Sequence, residues 1–346
     1  LVKVNLKKSG EIKSKEFEKI FDNKGFVARG RGINYTGFSL DPRFKKDRKA
    51  DLRKYILEDQ NFDIEFLFYP NISDEDIKKF LCAVWCAFYL GNFGSRSRRG
   101  FGSIVVEEIR GDIPTGFELK FKPDGKIQNW LKEQLDYIKS LSYWNPREDI
   151  PYIFENLEIY EVQNANIGNL EKWVKSIQQG RNGKFLANTW ALSSINNPEN
   201  LLDFMGFLLM AFRSYYQPDY NLAKQIIQNQ GTRENLQIKR VIFGLPLNFY
   251  FSSLKRSGMV VAKQDNQTRR RASPLIFKII QFGSNFLGLI LVSKPNSHHN
   301  FKFLPDKTSI NLKGVNLDKP NWQILDEFIS SLKSSNLITK IYPKGG

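Results

Sequence analysis

Cysteine, histidine and methionine are scarce in this chain of 346 residues, which has two, two and three of them. Two cysteines cannot form the disulfide framework of a small secreted protein, so the composition predicts a cytoplasmic protein. Cys82 and Cys86 lie four residues apart on a predicted apolar helix, where they could supply half of a metal site or be buried in the core. The other candidate ligands, His298 and His299, are far away in the sequence. We therefore expect buried structural cysteines, no metal and no other cofactor.

Long hydrophobic segments and several common motifs are also absent. The longest apolar run, residues 80–90, is too short to span a bilayer, and no signal peptide precedes it. No Walker motif occurs, and the glycine-rich segment 91–103 lies between a predicted helix and a strand, which is the reverse of the dinucleotide-binding order. Neither histidine belongs to a catalytic motif, so the sequence predicts a protein that is not an enzyme. Because the chain begins with Leu1 inside strand-like sequence, we expect that an N-terminal segment precedes it.

Positive charge is abundant. The chain has 52 lysines and arginines against 36 aspartates and glutamates, which gives a formal net charge of +16. Such an excess favours a polyanionic partner, although a generally basic protein would have it too. With 41% hydrophobic and 14% aromatic residues the chain can bury a substantial core, and its length favours two domains.

Glycine, arginine and phenylalanine are concentrated in residues 91–103, which we call the Gly-Arg loop. Glycines allow positive φ angles and close approach, arginines bind phosphates with a planar fork, and aromatic rings stack on bases. A solvated basic turn is the alternative, but the combination favours RNA binding, with Phe101 either stacking on a base or anchoring the loop. The predicted RNA-binding residues of the loop are Gly94, Arg96, Arg98, Arg99, Gly100, Phe101 and Gly102.

Two other basic segments could extend an RNA-binding surface. Residues 22–54 combine basic with aromatic residues in a predicted long loop, with or without a short helix. This pattern suits single-stranded RNA but also a disordered surface loop. Residues 263–273 contain an arginine run, which in most proteins is simply a solvated charge run. The candidate RNA-binding residues of these two segments are Arg29, Arg31, Arg43, Lys45, Arg269, Arg270 and Arg271.

Hydrophobic periodicity predicts a mixed chain of helices and strands. In the first third it indicates strands at 1–6 and 61–69, a helix that follows Ser73 and ends at Gly91, and a strand at 104–109. This order matches the last three-quarters of a βαββαβ ferredoxin-like unit. Further along, helices are predicted at 126–142, 168–179, 198–229 and 321–334, and strands at 152–162, 236–252, 274–282, 286–293 and 337–342.

Three short sequences carry a resemblance to a known family. They are Gly94–Ser103, Phe243–Pro246 and Arg270–Leu275, and Gly32–Gly37 is a weaker fourth. The first is similar to the glycine-rich loop of the RAMP superfamily of CRISPR proteins. Together, and in this order, they resemble the family of the first-numbered, head-located subunit of the type III-B (Cmr) effector complex.

The resemblance implies an α+β protein with two ferredoxin-like (RRM-type) domains. Residues 1–115 would form an incomplete first domain that lacks its N-terminal strand and helix, and residues 116–346 a second domain with a helical insertion. It also implies a non-catalytic RNA-binding subunit near the 3′ end of the guide RNA, which contacts guide and target RNA and other RAMP subunits. A RAMP endoribonuclease that processes guide RNA or cleaves target RNA is one alternative, and a generic RRM-like RNA-binding protein is another.

Overall fold

The structure is a computed structural model, and its described part contains several separate ranges. They are residues 2–6, 31–37, 61–141, 154, 156–163, 167–178, 195, 197–215, 217–228, 239–244, 247–264, 267–269, 272–294, 302–304 and 322–343. No helix in these ranges is long and apolar enough to cross a membrane.

Seven α-helices lie in the described ranges. They are α1 (Arg31–Thr36), α2 (Asp74–Tyr89), α3 (Ile127–Ser140), α4 (Ile167–Gln178), α5 (Pro198–Tyr215), α6 (Gln217–Ile227) and α7 (Gln323–Ser334). Two short 3-10 helices follow α6 in the chain, at Lys239–Phe243 and Ser252–Leu254.

The strands form three antiparallel groups. They are β1 (Val2–Leu6), β2 (Phe62–Phe66), β3 (Leu157–Val162), β4 (Leu247–Phe251), β5 (Arg256–Gln264), β6 (Gln267–Arg269), β7 (Leu275–Phe282), β8 (Asn285–Ser293), β9 (Lys302–Leu304) and β10 (Ile338–Tyr342). β1 pairs with β2, β5 pairs with β4, β6 and β9, and the central sheet has the order β10-β3-β8-β7. The chain is therefore a mixed helix-and-sheet fold, as predicted.

The central sheet is buried on both faces. Because side chains alternate along a strand, Phe277 of β7 faces a core formed with α5 and α7, whereas its neighbour Ile276 faces a core formed with α2 and α3. Strands buried on both faces have near-continuous apolar sequences, and β7 reads Leu-Ile-Phe-Lys-Ile-Ile. Lys278 is the exception in this run, and it is fully buried.

Helix α2 leads directly into the Gly-Arg loop. Its N-cap, Ser73, accepts a hydrogen bond from the backbone N–H of Asp76 (3.1 Å), and acidic residues fill the first turn, where they favour the positive end of the helix dipole. Further along the helix, Trp85 and Tyr89 pack against Trp130 of α3, with ring centres 5.5 and 5.0 Å apart. This packing fixes the end of α2, and therefore the start of the loop, beside the central sheet.

Helix α1 packs on α5 at two glycines. A Cβ at Gly32 would lie 1.7 Å from the backbone oxygen of Asp203, and one at Gly206 would lie 2.4 Å from the oxygen of Gly32. The buried carboxylate of Asp203 accepts a hydrogen bond from the N–H of Ile33 (2.8 Å), which satisfies a free donor in the first turn of α1. The Gly32–Gly37 sequence, the weaker fourth of the resemblance, is thus largely helical and places Tyr35 beside α5.

The prediction of a strand at 104–109 is wrong, because these residues pair with no strand in the described part of the chain. Ile104 and Val106 pack against the core under α2 and α3, while Val105 and Ile109 are exposed. A strand forms only where it can pair with a neighbouring strand, and no strand of the described ranges pairs with this segment. The basic segment 263–273, for which no strand was predicted, contains the end of β5 and all of β6. The predicted domain boundary at 115/116 stays a prediction.

Candidate nucleic-acid interface

The Gly-Arg loop lies along the free edge of the central sheet, which is β7. The backbone N–H of Phe277 donates to the oxygen of Arg98 (3.2 Å), and Asn92 Nδ2 donates to the oxygen of Phe277 (2.8 Å). The next outward N–H, that of Ile279, donates to Ser103 Oγ (3.2 Å). Because an unpaired edge must satisfy its polar groups, the loop and β7 stabilise each other.

Two polar residues that sequence analysis did not single out close the loop. Ser103 Oγ donates to Asn92 Oδ1 (2.7 Å), which joins the last residue of the loop to its second residue. The N–H of Phe93 donates to the oxygen of Gly102 (2.9 Å) across the same neck. Their position on either side of the glycine-rich core of the loop was the available signal.

The loop glycines differ in what surrounds them. A Cβ at Gly102 (φ +75°) would lie 1.8 Å from the oxygen of Phe93, and one at Gly100 (φ +90°) would lie 2.7 Å from a methyl group of Leu202. Gly94 (φ +81°) has open space beside its Cα. Gly100 and Gly102 therefore let the loop pack on the protein, whereas Gly94 leaves room for another molecule. Phe101 is half-buried against the core under α5, as expected if this ring anchors the loop and does not stack on a base.

Arg98 and Arg99 join the three motifs that carried the sequence resemblance. Arg98 Nη1 donates to the backbone oxygen of Ser273 (2.6 Å), within the 270–275 motif. Arg99 Nη2 donates to the oxygen of Phe243 (2.9 Å), within the 243–246 motif. The three motifs thus meet at the Gly-Arg loop, and two of its guanidinium groups hold them together.

The three loop arginines are unequally accessible. Arg98 is exposed, Arg96 is half-buried with a left-handed backbone (φ +64°), and Arg99 is half-buried with its Nη1 atom inaccessible to solvent. Burial lowers the pKa of Arg98, and burial together with the charge of Arg213 lowers the pKa of Arg99 to about 10. Both groups are still cationic at neutral pH, so the loop presents positive charge to an anion.

An arginine cluster lies behind the loop, formed by Arg99, Arg213 and Arg240. Arg240 Nη1 donates to the backbone oxygen of Arg213 (2.6 Å), and its Nε donates to the buried carboxylate of Asp219 (3.3 Å). The Arg213 guanidinium lies 5.5 Å from the centre of the Tyr35 ring, a cation–π contact. Sequence analysis missed Arg213, although an arginine at the end of an apolar helix was the available signal.

Lys278 connects the sheet to the end of α2. Its Nζ donates to the backbone oxygen of Gly91 (3.0 Å), the first residue of the Gly-Arg loop. A cation at a helix C-terminus is favoured by the helix dipole, but burial lowers the pKa of this amine to about 7. Lys278 is therefore a positioning residue for the loop that sequence analysis also missed.

The remaining predicted RNA-binding residues cannot be placed by their side chains. Arg31 begins α1 and Arg269 ends β6. The others, Arg29, Arg43, Lys45, Arg270 and Arg271, lie outside the described residues, so their role stays a prediction.

The two cysteines lie on the inner side of α2. Cys82 is buried and Cys86 is half-buried, and burial raises the pKa of their thiols to about 11 and about 12. The expectation of buried structural cysteines is thereby confirmed for Cys82, and Cys86 is only partly buried. The described residues contain no group of three side chains suited to hold a metal ion.

Comparison with known proteins agrees with this arrangement. Residues 2–105 match the sequence model of the RAMP superfamily, a range that contains β1, α1, β2, α2 and the Gly-Arg loop. A curated relative, the CRISPR system Cmr subunit Cmr1-2 of Pyrococcus furiosus, is 32% identical over 93 residues. The first third of the chain is thus similar to RAMP-superfamily proteins, among them a Cmr1 subunit. The aligned part is 25% of this chain and 48% of the relative, so the chain spans about half the length of the curated protein that it matches.

A solved structure extends the likeness, at the level of the fold, beyond the matched first third of the chain. The crystal structure of Cmr1 from Pyrococcus furiosus in its apo form superposes with a TM-score of 0.50 and 17% sequence identity. The match covers 99% of this chain and 77% of that one.

Proposed function

We propose that this protein is a non-catalytic, cytoplasmic RNA-binding subunit of a type III CRISPR effector complex. The observation that carries the proposal is the meeting of the Gly-Arg loop with the 243–246 and 270–275 motifs through Arg98 and Arg99. Support also comes from the net charge of +16 and from the similarity to a Cmr subunit of Pyrococcus furiosus.

The chemistry of the loop suits an RNA backbone. Arg98 is exposed and uses only Nη1 for its bond to the protein, so its other donors can contact a phosphate. Gly94 has open space beside it, which allows a close approach of the RNA. Phe93 is 39% exposed, and its ring lies 5.0 Å from that of Phe88, so it is the loop aromatic suited to stack on a base.

The position of the subunit and its architecture belong to the same proposal. We place it at the head of the complex, near the 3′ end of the guide RNA, where it contacts guide and target RNA and other RAMP subunits. Two ferredoxin-like units are part of this hypothesis. The second is supported by the central sheet, whose connectivity is β3, helices α4 to α6, β7, β8, α7 and β10, a β-α-β-β-α-β pattern with β4, β5 and β6 inserted before β7.

Salt-dependent RNA binding tests the proposal. The purified full chain is titrated against a labelled guide-type RNA over a range of salt concentrations, as wild type, Arg98→Gln and Arg110→Gln. Arg110 is a matched control, since it is an exposed arginine on another segment and pairs with Glu108. Loss of one phosphate contact from single-stranded RNA should reduce the slope of log K against log salt by about 0.7. We expect this change in Arg98→Gln and none in Arg110→Gln.

The other outcomes discriminate among the alternatives. RNA binding with the same slope in all three proteins would remove Arg98 from the interface. Failure of the chain to bind RNA or to assemble with RAMP subunits would overturn the proposed function. Specific metal-independent RNA cleavage by the pure chain would favour the endoribonuclease, and binding without any RAMP partner would favour a generic RNA-binding protein.

A further inference from the structure

The arginine cluster behind the Gly-Arg loop has an excess of positive charge. Arg99, Arg213 and Arg240 supply three guanidinium groups. Among the described residues, Asp219 is the carboxylate that pairs with one of them, Arg240. Asp219 is already engaged, because it accepts from the backbone N–H of Arg240 (2.6 Å) and of Lys239 (3.0 Å) as well as from the Arg240 side chain. Burying like charges close together is costly, so Arg99 and Arg213, whose charges repel each other, would be stabilised by an anion.

Arg99 contains a donor that the protein leaves unused. Its Nη2 donates to the oxygen of Phe243, but its buried Nη1 has no hydrogen-bond partner. The charged neighbours of Arg99 in the described part are the arginines 213, 96 and 98, whose charges lower its pKa together with burial. A buried guanidinium nitrogen without a hydrogen-bond partner is rare in folded proteins, because donors removed from water are normally satisfied.

The other two members supply the shape of a site. Arg213 forms no ion pair with a described residue, and its guanidinium stacks over Tyr35 at 5.5 Å. Arg213 and Tyr35 are both half-buried, so the cluster reaches the surface beside the Gly-Arg loop. Arg240 is held in place by Asp219 and by the backbone of α5, so its guanidinium group has a fixed position.

We propose that Arg99, Arg213, Arg240 and the Tyr35 hydroxyl form a binding site for one phosphate group. A tetrahedral phosphate accepts charge-assisted hydrogen bonds from several directions, and the planar forks of arginine match its oxygens. That the phosphate comes from RNA rests on the proposed function. The site itself would also accept inorganic phosphate, and RNA could present either an internal phosphodiester or a terminal phosphate.

Two independent measurements on the full chain test this site. The first is the melting temperature in sodium phosphate against sodium chloride of equal ionic strength, and the second is the affinity for RNA oligonucleotides with a 3′-phosphate or a 3′-hydroxyl. The variants are Arg213→Gln, which breaks no side-chain hydrogen bond to a described residue, and the surface control Arg110→Gln. Because one charge-assisted contact is lost, we expect Arg213→Gln to weaken binding of phosphate and of RNA about tenfold, and Arg110→Gln to behave as wild type.

Each result has a distinct meaning. If Arg213→Gln weakens only the 3′-phosphorylated RNA, the site takes a terminal phosphate, and if it weakens both RNAs equally, the site takes an internal one. If phosphate stabilises the wild type but not Arg213→Gln while no RNA binds, the site stands and the proposed function fails. If RNA binds and Arg213→Gln equals the wild type in both measurements, the phosphate site is refuted and the proposed function stands.

Discussion

Alanine at Gly102 should destabilise the protein much more than alanine at Gly94, although both glycines have positive φ and both belong to the Gly-Arg loop. At either position the left-handed backbone costs an L-residue about 1–2 kcal/mol. At Gly102 the new Cβ would also lie 1.8 Å from the oxygen of Phe93, whereas at Gly94 it meets nothing within 4 Å. Forcing an extra methyl group into a packed position costs a further 1–3 kcal/mol, roughly. The expected loss of unfolding free energy is therefore about 2–5 kcal/mol for Gly102→Ala and about 1–2 kcal/mol for Gly94→Ala.

Calorimetry can resolve this difference. An unfolding entropy of about 2 cal/mol/K per residue means that each kcal/mol lowers the melting temperature of a chain this long by about 1.4 °C. Gly102→Ala should then melt about 3–7 °C below the wild type and Gly94→Ala about 1–3 °C below it. A local readout is the hydrogen exchange of the Phe277 and Ile279 amides, which donate to the loop. Equal melting temperatures for the two variants, or unchanged exchange at both amides in Gly102→Ala, would refute the packing role of Gly102.

Two further predictions concern groups near the loop. Burial holds the pKa of Lys278 at about 7, below its ordinary value of 10.5. Between these pH values the unfolded chain binds more protons at this amine than the folded chain does, so the free energy of unfolding should rise with pH. The melting temperature of the wild type relative to Lys278→Met should therefore rise from pH 7 to pH 9, and a constant difference would contradict the buried amine. Because burial raises the thiol pKa values, Cys82 and Cys86 should react with a disulfide reagent at pH 8 only after denaturation, and fast labelling of the native protein would show that α2 is not packed as described.

Local sequence signals were enough to predict those elements whose capping residues and apolar stripe lie within the element itself. Helix α2 was predicted with its Ser73 cap because a capping residue, an acidic first turn and a helical stripe are all contained in one segment. The segment 104–109 has an equally strong strand pattern, but a strand also needs a neighbour, and that depends on the rest of the fold. Helix α1 lies in a segment for which the sequence predicted mainly a long loop. Its stability comes from contact with α5 at Gly206 and Asp203, about 170 residues further along the chain, so local signals did not define it.

In the candidate site, too, locally encoded features were predicted from the sequence, and features that depend on distant contacts were not. The composition of the Gly-Arg loop identified it as special, and its resemblance to RAMP proteins agreed with two other motifs. The direction of the Arg98 and Arg99 side chains could not be predicted, because their acceptors lie 175 and 144 residues away in the chain. Arg213 and Lys278 were missed for a related reason: each is a lone cation in an apolar element, and its importance comes only from what the fold brings next to it.

Holding the fold together and binding RNA are compatible roles for the same arginines. A guanidinium group has five N–H donors, and the bond from Arg98 to Ser273 uses one nitrogen, so the charge and most of the donors remain for a phosphate. The bond to the protein also restricts the rotation of a long side chain before RNA arrives, which reduces the entropy lost on binding. The contacts that fix the Gly-Arg loop to β7, Phe243 and Ser273 are therefore part of its affinity, and a change that loosens the loop should weaken RNA binding even where it removes no charge.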